Sequence, residues 1–192
     1  MSNRILFSVV GLLFPLVAFA ASSGDEPKNG LPEAALKILS AATRVECFRI
    51  GPQSADKSDG QPVAKRIDIY PISSTAKEQG RDFSDKLTAV LKDEKSYGPP
   101  ARCFSPGVGL RAWNGKESVD VIICYKCRDF LAIARNAEGK EIARSQSAGF
   151  AKLPGFPGNW AAFVQLARTA FPDDADIQKL DPNKDWGETD PK

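Results

Sequence analysis

Histidine is absent from the 192 residues. That absence excludes Ser-His-Asp and Cys-His nucleophile pairs, His-ligated metal sites and histidine-based pH switching. An excess of charge of one sign is also missing. The 26 Lys and Arg face 24 Asp and Glu, a formal net charge of +2. Such a balance gives no electrostatic basis for binding nucleic acid or an anionic membrane surface. Neither a glycine-rich phosphate loop nor a nucleophile elbow occurs. Ser105-Pro-Gly-Val-Gly109 comes nearest and lacks the nucleophile framing. Internal repeats are lacking too. An enzyme assignment therefore has no convergent signature to rest on, and the reading leans towards a non-enzyme.

What is present fits one folded domain. The length matches the ~100–200 residues typical of a single domain. The 42% apolar content is ordinary for a globular chain and too high for a wholly disordered one. Arg4 followed by the apolar run from Ile5 to Ala20, ending Ala18-Phe19-Ala20, has the charged start, apolar middle and small-residue end of a secretory signal peptide. The run is shorter than the ~20 residues a spanning helix needs. We therefore read 1–20 as a signal peptide cleaved after Ala20, 21–30 as a flexible leader, 31–172 as a single domain and 173–192 as an acidic, flexible tail. The expected location is periplasmic or secreted, with no membrane span once the signal is removed. The expected partner is a protein or small molecule, not nucleic acid.

Export governs the reading of the four cysteines, Cys47, Cys103, Cys124 and Cys127. In an oxidising compartment an even count is read first as disulfides, and four cysteines allow three connectivities. Two other chemistries remain open. Cys124-x-x-Cys127 on a hairpin is shaped like a knuckle presenting two thiolates to zinc, with Cys103 and Cys47 completing a tetrahedral set; a second CxxC, the stronger zinc signal, is absent. Thiol–disulfide exchange is the third, with Lys126 placed to favour a thiolate. Redox CxxC motifs, however, sit at the start of a helix, and here Asp129–Arg135 reads as a strand. No cofactor is expected under the first reading, and zinc or copper under the second.

The pattern along the chain predicts an α+β fold: an antiparallel β-meander of about five or six strands with two or three helices on one face. Pro32 suits a first helical turn, and Ala35, Ile38, Leu39 and Ala42 follow at helical spacing. Arg44–Ile50 reads as a strand, 51–62 as an exposed loop, and Lys65–Tyr70 as a half-buried strand ended by Pro71. Phe83, Leu87, Val90 and Leu91 place an amphipathic helix over Asp82–Asp93, closed by 96–100. Asn159 suits the cap of a last helix whose Trp160, Phe163, Val164, Ala167 and Phe171 share a face. Phe156 and Trp160 are read as plugs between helix and sheet, not as exposed ligand anchors. Asp181-Pro-Asn-Lys-Asp185 starts like a calcium loop, but the glycine comes one place late and Lys192 stands where a glutamate is required, so it is read as tail.

Between these helices the period changes to two. Asn114-Gly115 is a strong hairpin signal. With those two residues at the centre of the turn, Trp113 opposes Lys116, Leu110 meets Val119 and Val108 meets Val121. Val108, Leu110, Val119, Val121 and Phe130 then share the helix-covered face. Arg111 and Asp120 become diagonal neighbours on the solvent face, a surface ion pair worth ~0–1 kcal/mol. Ser105 falls opposite Cys124, leaving Cys103 diagonal to it at roughly 7–8 Å. A two-residue turn at Tyr125-Lys126 would set Cys124 directly against Cys127, and Glu138-Gly139 marks a third reversal. Three cysteines then meet at one end of the sheet.

Cys103-Phe-Ser-Pro-Gly-Val-Gly-Leu-Arg111 and Val119-Asp-Val-Ile-Ile-Cys-Tyr-Lys-Cys127 together resemble a loose group of small exported bacterial proteins of unknown function. The group carries a CFxPG…R strand leading into an IC[FY]xC hairpin. The likeness spans roughly a quarter of the mature chain. It implies that Cys103, Cys124 and Cys127 act together, leaves Cys47 outside the motif, and implies no activity.

Overall fold

The computed structural model describes residues 30–51, 65–93, 97–98, 104–145, 148–150 and 158–182. The segment read as a signal peptide, the proposed leader up to residue 29, Cys103 and Phe156 lie outside them. Within them the fold is α+β, with helices α1 (Glu33–Ala41), α2 (Arg81–Lys92), α3 (Gly158–Ala170) and α4 (Ala175–Gln178). The strands are β1 (Arg44–Ile50), β2 (Arg66–Ile67), β3 (Tyr70–Thr75), β4 (Tyr97–Gly98), β5 (Val108–Asn114), β6 (Glu117–Cys124), β7 (Asp129–Arg135), β8 (Glu141–Arg144) and β9 (Ala148–Phe150). They form one antiparallel sheet in the order β2-β3-β1-β5-β6-β7-β9-β4, with β8 also paired to β7. Nine strands exceed the expected five or six because the stretch read as one strand over Lys65–Tyr70 divides between β2 and β3, and because the short strands β4 and β9 were not expected. No helix among the described residues is long and apolar enough to cross a membrane.

The helices lie where the apolar spacing put them. Ala35, Ile38 and Leu39 of α1, Phe83, Leu87, Val90 and Leu91 of α2, and Trp160, Phe163, Val164 and Ala167 of α3 pack into one core with Val45, Val108, Leu110, Val119, Val121 and Phe130. The α1 helix lies across β5, β6 and β7, while α2 packs against α1, α3 and β1. Ser84 and Thr88, buried on α2, both donate to the Leu39 carbonyl near the end of α1. That carbonyl, in the last turn of α1, also accepts from the Ala42 amide at 3.2 Å. Beyond Pro172 the described chain forms α4. Asp174 caps α4 by accepting from the Asp176 and Ile177 amides, its carboxylate meets Arg49 at 2.8 Å, and Ile177 is buried in the core.

Three local expectations are corrected. The first is the β5–β6 register. Asn114 pairs with Glu117, so Gly115 and Lys116 form the turn, Leu110 meets Val121 and Val108 meets Ile123. Gly115 is the turn residue with positive φ (58°), as in a type II′ turn with glycine first. Each residue's partner moves by two positions, and side chains alternate with period two, so every residue keeps its predicted face. The second is the β6–β7 connection: Cys124 pairs with Asp129 across the four residues Tyr125–Arg128, not with Cys127. The third is Lys65–Tyr70, which is no single strand. Asp68 takes φ 53° and turns the chain, pairing Ile67 with Tyr70 and Arg66 with Pro71. Ile67 is fully buried and Ile69 is 58% exposed, because they lie on opposite sides of a reversal.

Candidate functional site

The face of the sheet away from the helices divides along the strand direction. One part is apolar. Phe48 on β1, Gly109 on β5, Ile122 on β6 and Leu131 on β7 form a transverse row. With Ile50, Ile133, Ile67 and Tyr70 they make a second, smaller core, joined by Phe104. The other part is charged. Glu46, Arg111, Asp120, Ile133 and Arg144 are successive partners across five strands, and Arg44, Trp113, Ser118 and Arg135 form the next row.

Asp120 is the centre of this charged part. Its side chain is fully buried, and Arg111, directly opposite, clamps both oxygens at 2.5 and 3.0 Å. Arg135 on the far side reaches the same carboxylate at 3.4 Å. Burial opposes the Arg111 charge, but the hydrogen bond and charge of Asp120 raise its pKa further above the ordinary guanidinium value. The expected exposed, diagonal ion pair is thus a direct pair with a buried carboxylate. The register slide explains the change, since it brings Arg111 opposite Asp120.

Asp68 extends the network. Its carboxylate pairs with both Arg144 terminal nitrogens at 3.1 and 3.0 Å and lies 3.8 Å from Arg135. Burial pulls the Asp68 carboxyl upward, yet the Arg144 hydrogen bond, the Arg144 and Arg135 charges and the Ile69 amide outweigh it and leave its pKa below the ordinary carboxylate range. At the opposite end, Trp113 donates its indole N–H to Glu46 at 3.0 Å. The guanidinium of Arg44 stands 4.8 Å from the indole ring centre and that of Arg111 5.9 Å. Arg44 also pairs with Glu46 and Glu78. Sequence reading had found the Arg111–Asp120 pair and missed the rest. One signal was available: Asp120 is a lone carboxylate in an otherwise apolar strand, Val119-Asp-Val-Ile-Ile123.

The structure separates the described cysteines. Cys47 is buried among the helix-side core residues, its thiol directed to the Val45 carbonyl at 3.9 Å. Burial first, then the Glu46 and Glu78 charges, push its pKa up to about 12, so it is a neutral thiol at any physiological pH. Cys124 is also buried and shares the opposite face with Ile122, since side chains alternate along β6. Cys127, half-buried, meets Cys124 through its backbone, whose N–H donates to the Cys124 sulfur at 3.3 Å. Arg128, next in the turn, takes φ 51°. Cys47 and Cys124 carry free thiols, and Cys103 lies outside the described residues. Among those residues, no three Cys, Asp or Glu side chains converge on a metal-sized site. Tyr125, within the same turn, is packed against Trp160 with ring centres 5.3 Å apart. Among the described residues its buried hydroxyl has no hydrogen-bond partner, and burial holds its pKa far above the usual phenol value.

Comparison with protein-family models, with curated proteins and with solved structures finds no match to this chain.

Proposed function

We propose that the protein is an exported, non-enzymatic binding domain that meets a protein or small-molecule partner through the charged part of its second sheet face. The observation supporting this is Trp113, held between Arg44, Arg111 and Glu46 and partly exposed on the face away from the helices. Tryptophan and arginine are the residues most often found carrying binding energy at interfaces, and a rigidly held indole loses little side-chain freedom when covered. A photo-crosslinking residue at position 113, tested in the envelope fraction of the native cell, should give a discrete adduct. The same residue at exposed Lys86 on α2 should not. Equal adducts from both positions, or none from position 113, would overturn the assignment.

In this reading the cysteines serve structure. Cys47 and Cys124 are buried on opposite faces and so do not bridge each other, and a single bridge within the set Cys103, Cys124 and Cys127 would be a staple worth ~2–4 kcal/mol. A second reading, zinc or copper binding or thiol–disulfide exchange at the CxxC turn, draws support from the Cys127 N–H directed at the Cys124 sulfur. Alkylation of the denatured protein without reductant, followed by intact mass, separates the two. Two labels with no bound metal, and a bridge that resists reduction at about −200 mV, support the structural reading. Four labels with stoichiometric zinc or copper in the native protein support the second.

A further inference from the structure

The β2–β3 hairpin and β8 stand at different ends of the sheet, separated in hydrogen-bonded order by β3, β1, β5, β6 and β7. Strands lie ~4.8 Å apart, so a flat sheet would hold β2 roughly 29 Å from β8. Instead Asp68 in the hairpin turn touches Arg144 on β8 at 3.0 Å. The sheet is therefore curled until its ends meet, and two contacts hold them. One is ionic: Asp68 with Arg144 and Arg135. The other is a plug: Ile67, fully buried, fills the hollow above Gly109. A Cβ placed on Gly109 would lie 2.8 Å from Ile67 Cδ1 and 3.1 Å from its Cγ2. Beneath the plug lie Phe48, Ile50, Ile122 and Ile133.

We propose that the β2–β3 hairpin is a strap that opens as a unit, uncovering this apolar cradle, and that the Asp68–Arg144 clasp sets how often it does so. The strap is suited to the task. Strand β2 has two residues and its ladder is to β3, while β3 joins β1 through three paired residues whose register breaks between Arg49 and Ile50. The carboxylate of the clasp is set by a residue in the left-handed region, a conformation that Asp and Asn tolerate better than other side-chain-bearing residues. The β1–β5, β5–β6 and β6–β7 ladders at the centre of the sheet run to six or seven paired residues each. Local openings of this kind are the low-energy end of a protein's stability spectrum.

Native-state hydrogen exchange on the full protein tests the proposal. Asp68→Asn keeps the turn conformation and removes the charge; Gly109→Ala leaves the charge and crowds the plug. Both should speed exchange of the Gly51 and Ala76 amides, which bond to the Pro71 and Cys47 carbonyls across the β1–β3 seam, by on the order of tenfold relative to the Val121 amide in the sheet centre. Glu141→Gln, which removes a partner of Arg144 outside the clasp, should leave the strap amides within twofold. An apolar fluorescent dye should bind Asp68→Asn more than wild type. Equal acceleration of strap and sheet-centre amides would mean that only global unfolding exposes the cradle, and unchanged strap amides would mean that the clasp does not govern it. Either result overturns the proposal.

Discussion

The two faces of the sheet solve the same problem by different means. On the helix side, aliphatic and aromatic side chains from four helices and four strands interlock, and the polar groups beneath them, Ser84 and Thr88, are bonded to backbone. Burial there is set by shape and apolar area, at about 25 cal/mol per Å². On the other face the cover is a two-stranded hairpin over a handful of apolar residues, and the neighbouring rows are filled by charges that balance one another. The difference is one of tolerance. An apolar core repacks around a changed side chain, whereas a buried carboxylate loses its stabilisation as soon as one guanidinium is removed.

The comparison can be broken from either side, and the largest effect belongs to the helix face. Phe163, fully buried and stacked on Phe130 with centres 6.1 Å apart, should cost about 3–5 kcal/mol when replaced by alanine, read as a lower urea midpoint with unchanged slope. On the charged side Arg111→Leu leaves Asp120 buried with only the longer Arg135 contact. A loss of about 3 kcal/mol is expected, recovered in large part by the double change with Asp120→Leu, which removes the stranded charge. If the double variant is no better than the single one, the burial of Asp120 is not the reason for the loss.

Acid sharpens the contrast further. Asp68 is held below its ordinary value, as is Glu141, chiefly by the Arg144 hydrogen bond. A carboxyl with a depressed folded-state pKa contributes stability above its unfolded value, near 4, and that contribution is lost as pH falls through the folded value. Stability of the wild type should therefore drop below about pH 4 more steeply than that of Asp68→Asn, whose curve starts lower and runs flatter. Parallel curves would remove Asp68 from the account. The smallest expected effect has the opposite sign. Tyr125→Phe deletes a buried hydroxyl that has no partner among the described residues, so it should leave stability unchanged or raise it by up to about 1 kcal/mol, measured by the same denaturation.

Sheet faces and helices were legible because each rests on a period that survives small errors. The β5–β6 register was predicted two positions off, and Val108, Leu110, Val119 and Val121 still faced the helices, because a shift of two returns a strand side chain to the same side. The same error was not harmless at the site. A diagonal ion pair became a direct one, and a surface carboxylate became a fully buried one. The CxxC turn shows the other limit: two-residue and four-residue connections differ by a single local conformation, here the positive φ of Arg128, for which arginine carries no signal. The β2–β3 reversal at Asp68 was missed for a related reason, since Ile67 and Ile69 at alternate positions are also the signature of one strand.

Local periodicity and turn chemistry by themselves determined the α+β class, the three longer helices and the inner face of the meander, since those follow from neighbours in the chain. Tertiary structure alone decided that β2–β3 curls back to β8, that Asp68 meets Arg144 across 76 positions of sequence, and that Cys47 and Cys124 occupy opposite sides of one sheet. Those outcomes depend on curvature summed over many strands, a quantity that no short stretch of residues carries.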